Sequence, residues 1–526
     1  MKHSFRQLRA LCLILALLLC VGCGGETGTE LTQAAASLPA ASSSGGIVLE
    51  TTVANELFTL PWDAELTINP YNCVSRANST FLPLIYEGLF CVSGEFEAEP
   101  VLCSEWNASD DLTVYSFTLK EDVCFHSGEV LTVEDVIYSL EYAMTSPLYE
   151  DRLSCITSLD AYENTVFIGL DSPRDSFLLL LDVPIVRRGT AELEIPDGTG
   201  PYVPVLNREG ESYLDRYAGG RLYDELGISR IYLNAVSGAG NIRDEFETGR
   251  ISLVCTDPNS GVSAIYHGDY EKWSAPTTIL EYVGFNFLSG PFAQKVLRQA
   301  VIYCIDRDAA VTGAFGGCAD ASVLPVSPYS RAWSSELSAL YRGNGTKAAS
   351  LLRDAGIRDT DGDGVLEYTY ANGIYTDDVS GTLIVCSDSD SETAAAELLA
   401  ADLCALGMDI RVEALDADTY AARRNAGNYD LFLESIRLTA DFDLTPLLSA
   451  AGSLDGEALR LCADALENVG NYYDLCDRIL EQGLLCPVAF RQLSVMAVRG
   501  TISGLSPGSS DIFRNPQDLC LTTGAS

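Results

Sequence analysis

Residues 382 to 436 constrain the fold more than any other stretch of the chain. Leu383–Cys386 reads as a strand, and Glu392–Leu406 as an Ala- and Leu-rich helix closed by Gly407. Met408–Ala414 alternates apolar and polar residues as a strand does. Asp418–Ala426 is a short helix ended by Gly427, and Tyr429–Ile436 is a third strand. Strands joined through helices run parallel, so this is a βαβαβ unit of a doubly wound α/β sheet. Ligands of such sheets bind outside the carboxyl ends of the strands. Asp441 and Asp443 lie just past the third strand and are therefore the candidate ligand-binding residues.

The rest of the chain is less regular. Tyr115–Leu119 alternates as a strand. A helix follows Thr132, a fitting N-cap with Asp135 at the third helical position, and Val136, Leu140 and Ala143 share one face. Ser146-Pro147 ends it. Phe292–Asp306 reads as a second helix, with Val296, Ala300 and Tyr303 on one stripe. A chain of 526 residues has room for two or three domains.

Composition narrows the function. The 33 Lys and Arg against 74 Asp and Glu give a net charge of −41, which excludes nucleic acid as a partner because phosphates need clustered cations. Three His leave little for a multi-His metal centre, and His126 and His267 read as structural. There are 17 Cys, with no C-x-x-C beyond the N-terminal segment, so neither a zinc ribbon nor a thioredoxin-type site is expected. Cys304 and Cys404 sit in apolar stretches and read as small buried hydrophobes. No metal and no cofactor is expected.

The N-terminus reads as an address. Lys2, Arg6 and Arg9 precede the apolar run Leu11–Val21, which is short for a membrane span. Gly22-Cys23 follows, and resembles a lipoprotein box in which the signal is cut before a Cys that receives lipid. Residues 1–22 are then a signal peptide and Cys23 the lipidation site. Residues 23–46 are rich in Ser, Ala, Gly and Thr and form a flexible tether. The expected location is outside the cytoplasmic membrane, anchored by lipid alone.

Three motifs resemble chemical sites without completing one. Asp359, Asp361, Asp363 and Gly364 start like a calcium loop, but position twelve is Tyr370 in place of Glu, which leaves an acidic turn. Gly504-Leu505-Ser506-Pro507-Gly508 fits G-x-S-x-G, yet Pro507 and Gly508 do not start the helix that a nucleophile elbow needs. Gly238-Ala239-Gly240 lacks the third glycine of a dinucleotide loop. No catalytic residue is assigned, and the chain is not expected to be an enzyme.

An ordered set of short blocks resembles the bacterial extracellular solute-binding proteins of family 5. The blocks are Asn69-Pro70, Leu84–Phe90 (LIYEGLF), Trp106–Thr113 leading into Phe117–Lys120, Phe125–Gly128 with Leu131–Val136, and Gly198–Tyr202 (GTGPY). Phe285-Asn286 with Val296–Ala300 and Ile305–Arg307, Ala348–Gly356 followed by the Asp359–Gly364 turn, Tyr429–Leu431 and Thr439–Asp441 complete it. The Trp that the family carries shortly before the last Asp is absent; Arg437-Leu438-Thr439 stand there.

The resemblance implies a two-lobed periplasmic-binding-protein-like fold of α/β type that closes on its ligand as a Venus flytrap. Lobe one would comprise 47–280 plus 490–526, with an inserted subdomain at about 76–190, and lobe two would comprise 281–489. It implies a substrate-binding lipoprotein of an ABC importer that captures peptides and delivers them to permease and ATPase subunits, with the last Asp of the motif, Asp441, pairing with the ligand's α-amino group. Alternatives are another solute of the same family (a sugar oligomer, a nickel chelate or an opine-like compound), a surface sensor, or a hydrolase using Ser506.

Overall fold

The computed structural model describes residues 57–522, apart from 208–209, 257–265, 371–372, 454 and 510. Cys23, the tether and the signal segment lie outside the described residues.

Two sheets build the first body. Strands β1 (Phe58–Trp62), β2 (Cys103–Ala108), β3 (Val114–Leu119), β4 (Ile156–Tyr162), β5 (Thr165–Leu170), β6 (Tyr202–Val205), β7 (Ser212–Arg216) and β8 (Arg230–Ala235) are arranged as β1-β8-β7-β6 and β2-β3-β5-β4. Alternation sets the faces. In β3, Tyr115, Phe117 and Leu119 point inward, and in β5, Val166, Ile168 and Leu170 do so. Helix α1 (Val133–Ala143) starts as its sequence requires. Thr132 and Asp135 form a reciprocal capping box, and Val136, Leu140 and Ala143 are buried. The two sheets and α1 share one apolar core with Ile512, Phe513 and Leu519 from the C-terminal segment.

Inside that core the LIYEGLF and GTGPY blocks lie against each other. Gly200 N–H donates to the Ile85 carbonyl at 2.9 Å. A β-carbon at Gly198 would come within 2.2 Å of the Ile85 oxygen, and one at Gly200 within 2.5 Å of the Ile85 carbonyl carbon. Only glycine permits so close an approach of two backbones. Between them Thr199 donates to Glu87 at 3.0 Å, and the Arg221 guanidinium grips Glu87 at 2.6 and 2.9 Å. These blocks are a packed buttress.

The second body contains the βαβαβ unit. After β9 (Leu253–Cys255) and β10 (Tyr270–Phe285) come α2 (Lys295–Cys304), β11 (Ser380–Cys386), α3 (Asp390–Ala405), β12 (Asp409–Leu415), α4 (Ala417–Asn425) and β13 (Leu431–Arg437). Later elements are α5 (Gly456–Glu467), α6 (Tyr472–Gln482) and β14 (Cys486–Val498). β11 pairs in parallel with both β12 and β13, as the sequence predicts. β13 then pairs antiparallel with β10, so the parallel unit is one flank of a mixed sheet ordered β9-β14-β10-β13-β11-β12.

Three sequence expectations shift. The helix predicted from Phe292 starts at Lys295, because Gln294 is extended and a single 3₁₀ turn, Pro291–Ala293, precedes it. The third strand starts at Leu431, not Tyr429: the Asn286 amide holds the Tyr429 carbonyl, and the Asp430 carboxylate accepts from Thr382 N–H. Cys304 is half-buried at the margin of the second core, whereas Cys404 is exposed and is not a buried hydrophobe; its thiol lies 3.5 Å from the Ile410 carbonyl.

β10 and β14 are long, antiparallel and shared by both bodies. Ala275, Leu493, Val495 and Ala497 belong to the first core. Leu280, Tyr282, Val283, Phe285, Val488, Ala489 and Phe490 belong to the second. The ladder slips between Pro276 and Leu280, where the strands pass from one core to the other. There Arg491 Nε donates to the fully buried Glu281 at 2.8 Å.

Candidate functional site

Beyond β13 the chain makes a tight turn. Phe442 has φ 57°, a left-handed conformation that is unfavourable for a bulky residue. Its ring is held between Phe96 and Phe490, with centroids 5.0 and 6.0 Å away, and this packing stabilises the turn. The Tyr472 hydroxyl, at the start of α6, lies 2.8 and 2.9 Å from the carbonyls of Asp441 and Phe442. The turn brings the carboxylates of Asp441 and Asp443 to one cation, Arg174.

Arg174 belongs to the other body. It follows β5, its N–H donates to the Leu112 carbonyl at 3.3 Å, and its own carbonyl accepts from the Tyr115 hydroxyl at 2.6 Å. Its Nη1 pairs with Asp441 Oδ2, and its Nη2 lies 3.4 Å from Asp443 Oδ2. The next residue adds a second tie, Asp175 N–H to the Leu466 carbonyl at 2.8 Å. Burial opposes the charge on Arg174, but the Asp441 and Asp443 carboxylates more than offset it and hold the guanidinium above its ordinary pKa.

The group is incompletely satisfied. Arg174 is 8% exposed and Asp441 3%. Asp441 Oδ1 and Arg174 Nε are buried and have no hydrogen-bond partner among the described residues. One guanidinium against two carboxylates leaves a formal charge of −1. A cavity of about 390 Å³ opens beside it, lined by Trp106, Asp175, Ser176, Leu178 and Leu179 on one side and by Arg331, Ala440, Asp441, Phe442 and Tyr472 on the other. Apolar and aromatic walls with a few converging polar groups are what small-solute pockets are made of. A larger cavity of about 470 Å³ lies within the first body around Glu87, Arg152 and Arg221. The smaller one is the candidate because its walls come from both bodies.

Sequence reasoning picked out Asp441 and Asp443, and the fold brings them together. It missed Arg174, Trp106 and Tyr472. The one available signal for Arg174 was its place in an Asp-Ser-Pro-Arg-Asp-Ser loop of a chain poor in cations.

The motifs set aside stay apart from this site. Asp359, Asp361 and Asp363 are exposed, with carboxylate oxygens within 4.8 Å of one another. Asp359 caps Gly362 and Gly364, and Glu367 turns back to Thr360 at 2.7 and 2.9 Å, so the loop's carboxylates serve the turn itself. Ser506 sits in an irregular segment, with no helix after it among the described residues. His126 is half-buried against Tyr217, with Nε2 3.0 Å from the Gly200 carbonyl; desolvation lowers its pKa.

The chain has recognisable relatives. The family model described as bacterial extracellular solute-binding proteins, family 5 middle, matches residues 97–453. The glutathione-binding protein GsiB of Escherichia coli (strain K12) is 24% identical over 377 residues, covering 68% of this chain and 69% of GsiB. Among solved structures, the ABC transporter substrate-binding protein CtaP from Listeria monocytogenes superposes with a TM-score of 0.70 at 18% identity, over 89% of this chain and 99% of CtaP. NikA from Brucella suis, in complex with Fe(III)-EDTA, gives 0.67 at 18% identity, over 88% and 99%. These structural likenesses establish the fold as two-lobed and of mixed α/β type. With the family model spanning well over half of the residues, the chain belongs to family 5 of the bacterial extracellular solute-binding proteins, the solute-capturing subunits of ABC importers.

Proposed function

We propose that the chain captures peptides outside the cell in the cavity between its lobes and delivers them to a membrane permease driven by ATPase subunits. It carries its solute without transforming it. Lobe two spans about 281–489, and 47–280 plus 490–526 form lobe one, with an inserted subdomain at about 76–190. The passage of β10 and β14 between the two cores supports those limits. The lobes close on the ligand by hinge motion at this crossing. Cys23 carries the lipid that keeps the protein at the membrane.

The observation that carries the reading is the buried Asp441 carboxylate on the wall of a two-sided cavity, one oxygen without a partner, in a group with one negative charge to spare. A peptide's α-ammonium is a compact cation with three donors and suits that oxygen. Asp443, at 20% side-chain exposure, is the outer carboxylate and adds to the attraction. A relative named for binding glutathione, itself a tripeptide, accords with a peptide solute.

Calorimetry with a tripeptide and its N-acetylated twin tests the reading. Wild type is expected to bind the free amine and to reject the acetylated form. Asp441→Asn is expected to lose roughly 2–5 kcal/mol of binding, the penalty for leaving one member of a buried charge pair alone. Equal binding of both peptides by wild type would rule out amine recognition, and loss in Asp443→Asn alone would move the role to Asp443.

A further inference from the structure

We propose that Arg174 is a specificity-determining residue: it occupies the cation position on Asp441, and a ligand is admitted by supplying a cation in its place. The inference rests on the reading of Asp441 as the ligand's carboxylate partner, and it adds a competitor that belongs to the chain.

The geometry has three parts. Arg174 is fixed at its backbone to lobe one, through Leu112 and Tyr115, while its guanidinium reaches two carboxylates of lobe two. The pair is therefore intact only when the lobes are together. Both side chains are almost fully buried, so the pair lies out of reach of solvent screening. Finally, the fit is partial: Asp441 Oδ1 and Arg174 Nε are left without partners, and Asp443 is held at 3.4 Å. A cation satisfying both Asp441 oxygens is better placed than the guanidinium now there.

Two consequences follow from general chemistry. The buried Asp441 and half-buried Asp443 carboxylates without a cation oppose closure of the lobes, since each loses water and repels the other. Arg174 removes that opposition, so the lobes can close with no ligand between them. A solute without a cationic group cannot displace the guanidinium and gains nothing from Asp441. A solute with an ammonium competes with Arg174, and its apparent affinity is lowered by the fraction of protein in which the latch is formed.

The experiment compares wild type, Arg174→Gln and Arg174→Lys, with circular dichroism to confirm that each variant is folded. Solution scattering without peptide is expected to give a larger radius of gyration for Arg174→Gln than for wild type, with Arg174→Lys staying near wild type. Titration with a mixture of unblocked tripeptides is expected to give Arg174→Gln about tenfold tighter binding than wild type and to restore its compactness. An unchanged radius of gyration in a folded Arg174→Gln would overturn the latch. Weaker tripeptide binding by Arg174→Gln would overturn the competition and make Arg174 a supporting residue of the site. If Arg174→Gln expands but no variant binds tripeptides, the latch stands and the peptide reading falls.

Discussion

Buried ionisable side chains do two kinds of work in this protein. Some hold charge against a partner, as Glu87 does with Arg221 and Asp441 with Arg174. Others are pushed toward the neutral form, and the half-buried Asp511 is the clearest. Burial pushes its carboxyl up to about 7, against the lowering effects of the Phe513 N–H at 2.7 Å and of Arg514. An unfolded Asp titrates near ~3.9. Between those values the folded chain binds a proton that the unfolded chain has released, so stability falls as pH rises from about 4 through about 7. Asp511→Asn removes the titration. Its melting temperature is expected to gain on wild type as pH is raised across that window, by the equivalent of up to roughly 4 kcal/mol; a constant difference would show that Asp511 does not titrate there. None of this is written locally in the sequence. Asp511 resembles any other acid among the 74, and Arg174 lies 267 positions from the carboxylate it meets.

At the level of elements, pattern was enough where one face of a segment meets one core. The alternation of Tyr115, Phe117 and Leu119, the capping box at Thr132 and the βαβαβ unit are local or near-local properties, and the structure has them where the sequence puts them, save that the unit's third strand starts two residues later, at Leu431. Pattern was insufficient for β10 and β14. β14 is almost continuously buried, and β10 is so from Thr277 onward, which periodicity does not distinguish from other apolar runs. Their shared burial places Arg491 and Glu281 at the crossing, with Arg491 also 4.3 Å over the Phe315 ring and within 3.0 Å of Ser391. Burial raises the pKa of Glu281, and Arg491 counters it. Arg491→Ala leaves that carboxylate alone in the core and is expected to cost roughly 3–5 kcal/mol. Because both strands run through both cores, the loss should appear in calorimetry as the shift of a single transition. A split into two transitions, one unmoved, would show that the lobes do not share this crossing energetically.

At the scale of the whole molecule, function depends on where the protein is held. No helix among the described residues is long and apolar enough to cross a membrane. Under the proposed function, attachment falls to Cys23 and the Ser-, Ala- and Gly-rich segment after it. Several acyl chains hold a protein firmly at a membrane, where one holds it marginally. Cys23→Ala is expected to release the protein to the medium or leave it uncut. Recovery of a processed variant in the membrane fraction, judged by mass, would assign the anchor elsewhere.

The sequence by itself determined the family, the doubly wound unit of the second lobe, and the two carboxylates beyond its third strand. Those depend on spacing, capping and period, which act over a few residues. It also determined the contact between the GTGPY and LIYEGLF blocks in one respect: glycine stands at the positions where a β-carbon would strike the Ile85 backbone. Tertiary structure alone decided which cation those carboxylates meet, which strands join the lobes, and which side chains wall the cavity. Arg174, Trp106 and Tyr472 come from three separate segments, and each acquires its role when two cores, built from different parts of the chain, are brought face to face. A charge pair of that kind has no sequence signature, because its energy comes from burial that neither partner has until both lobes are in place.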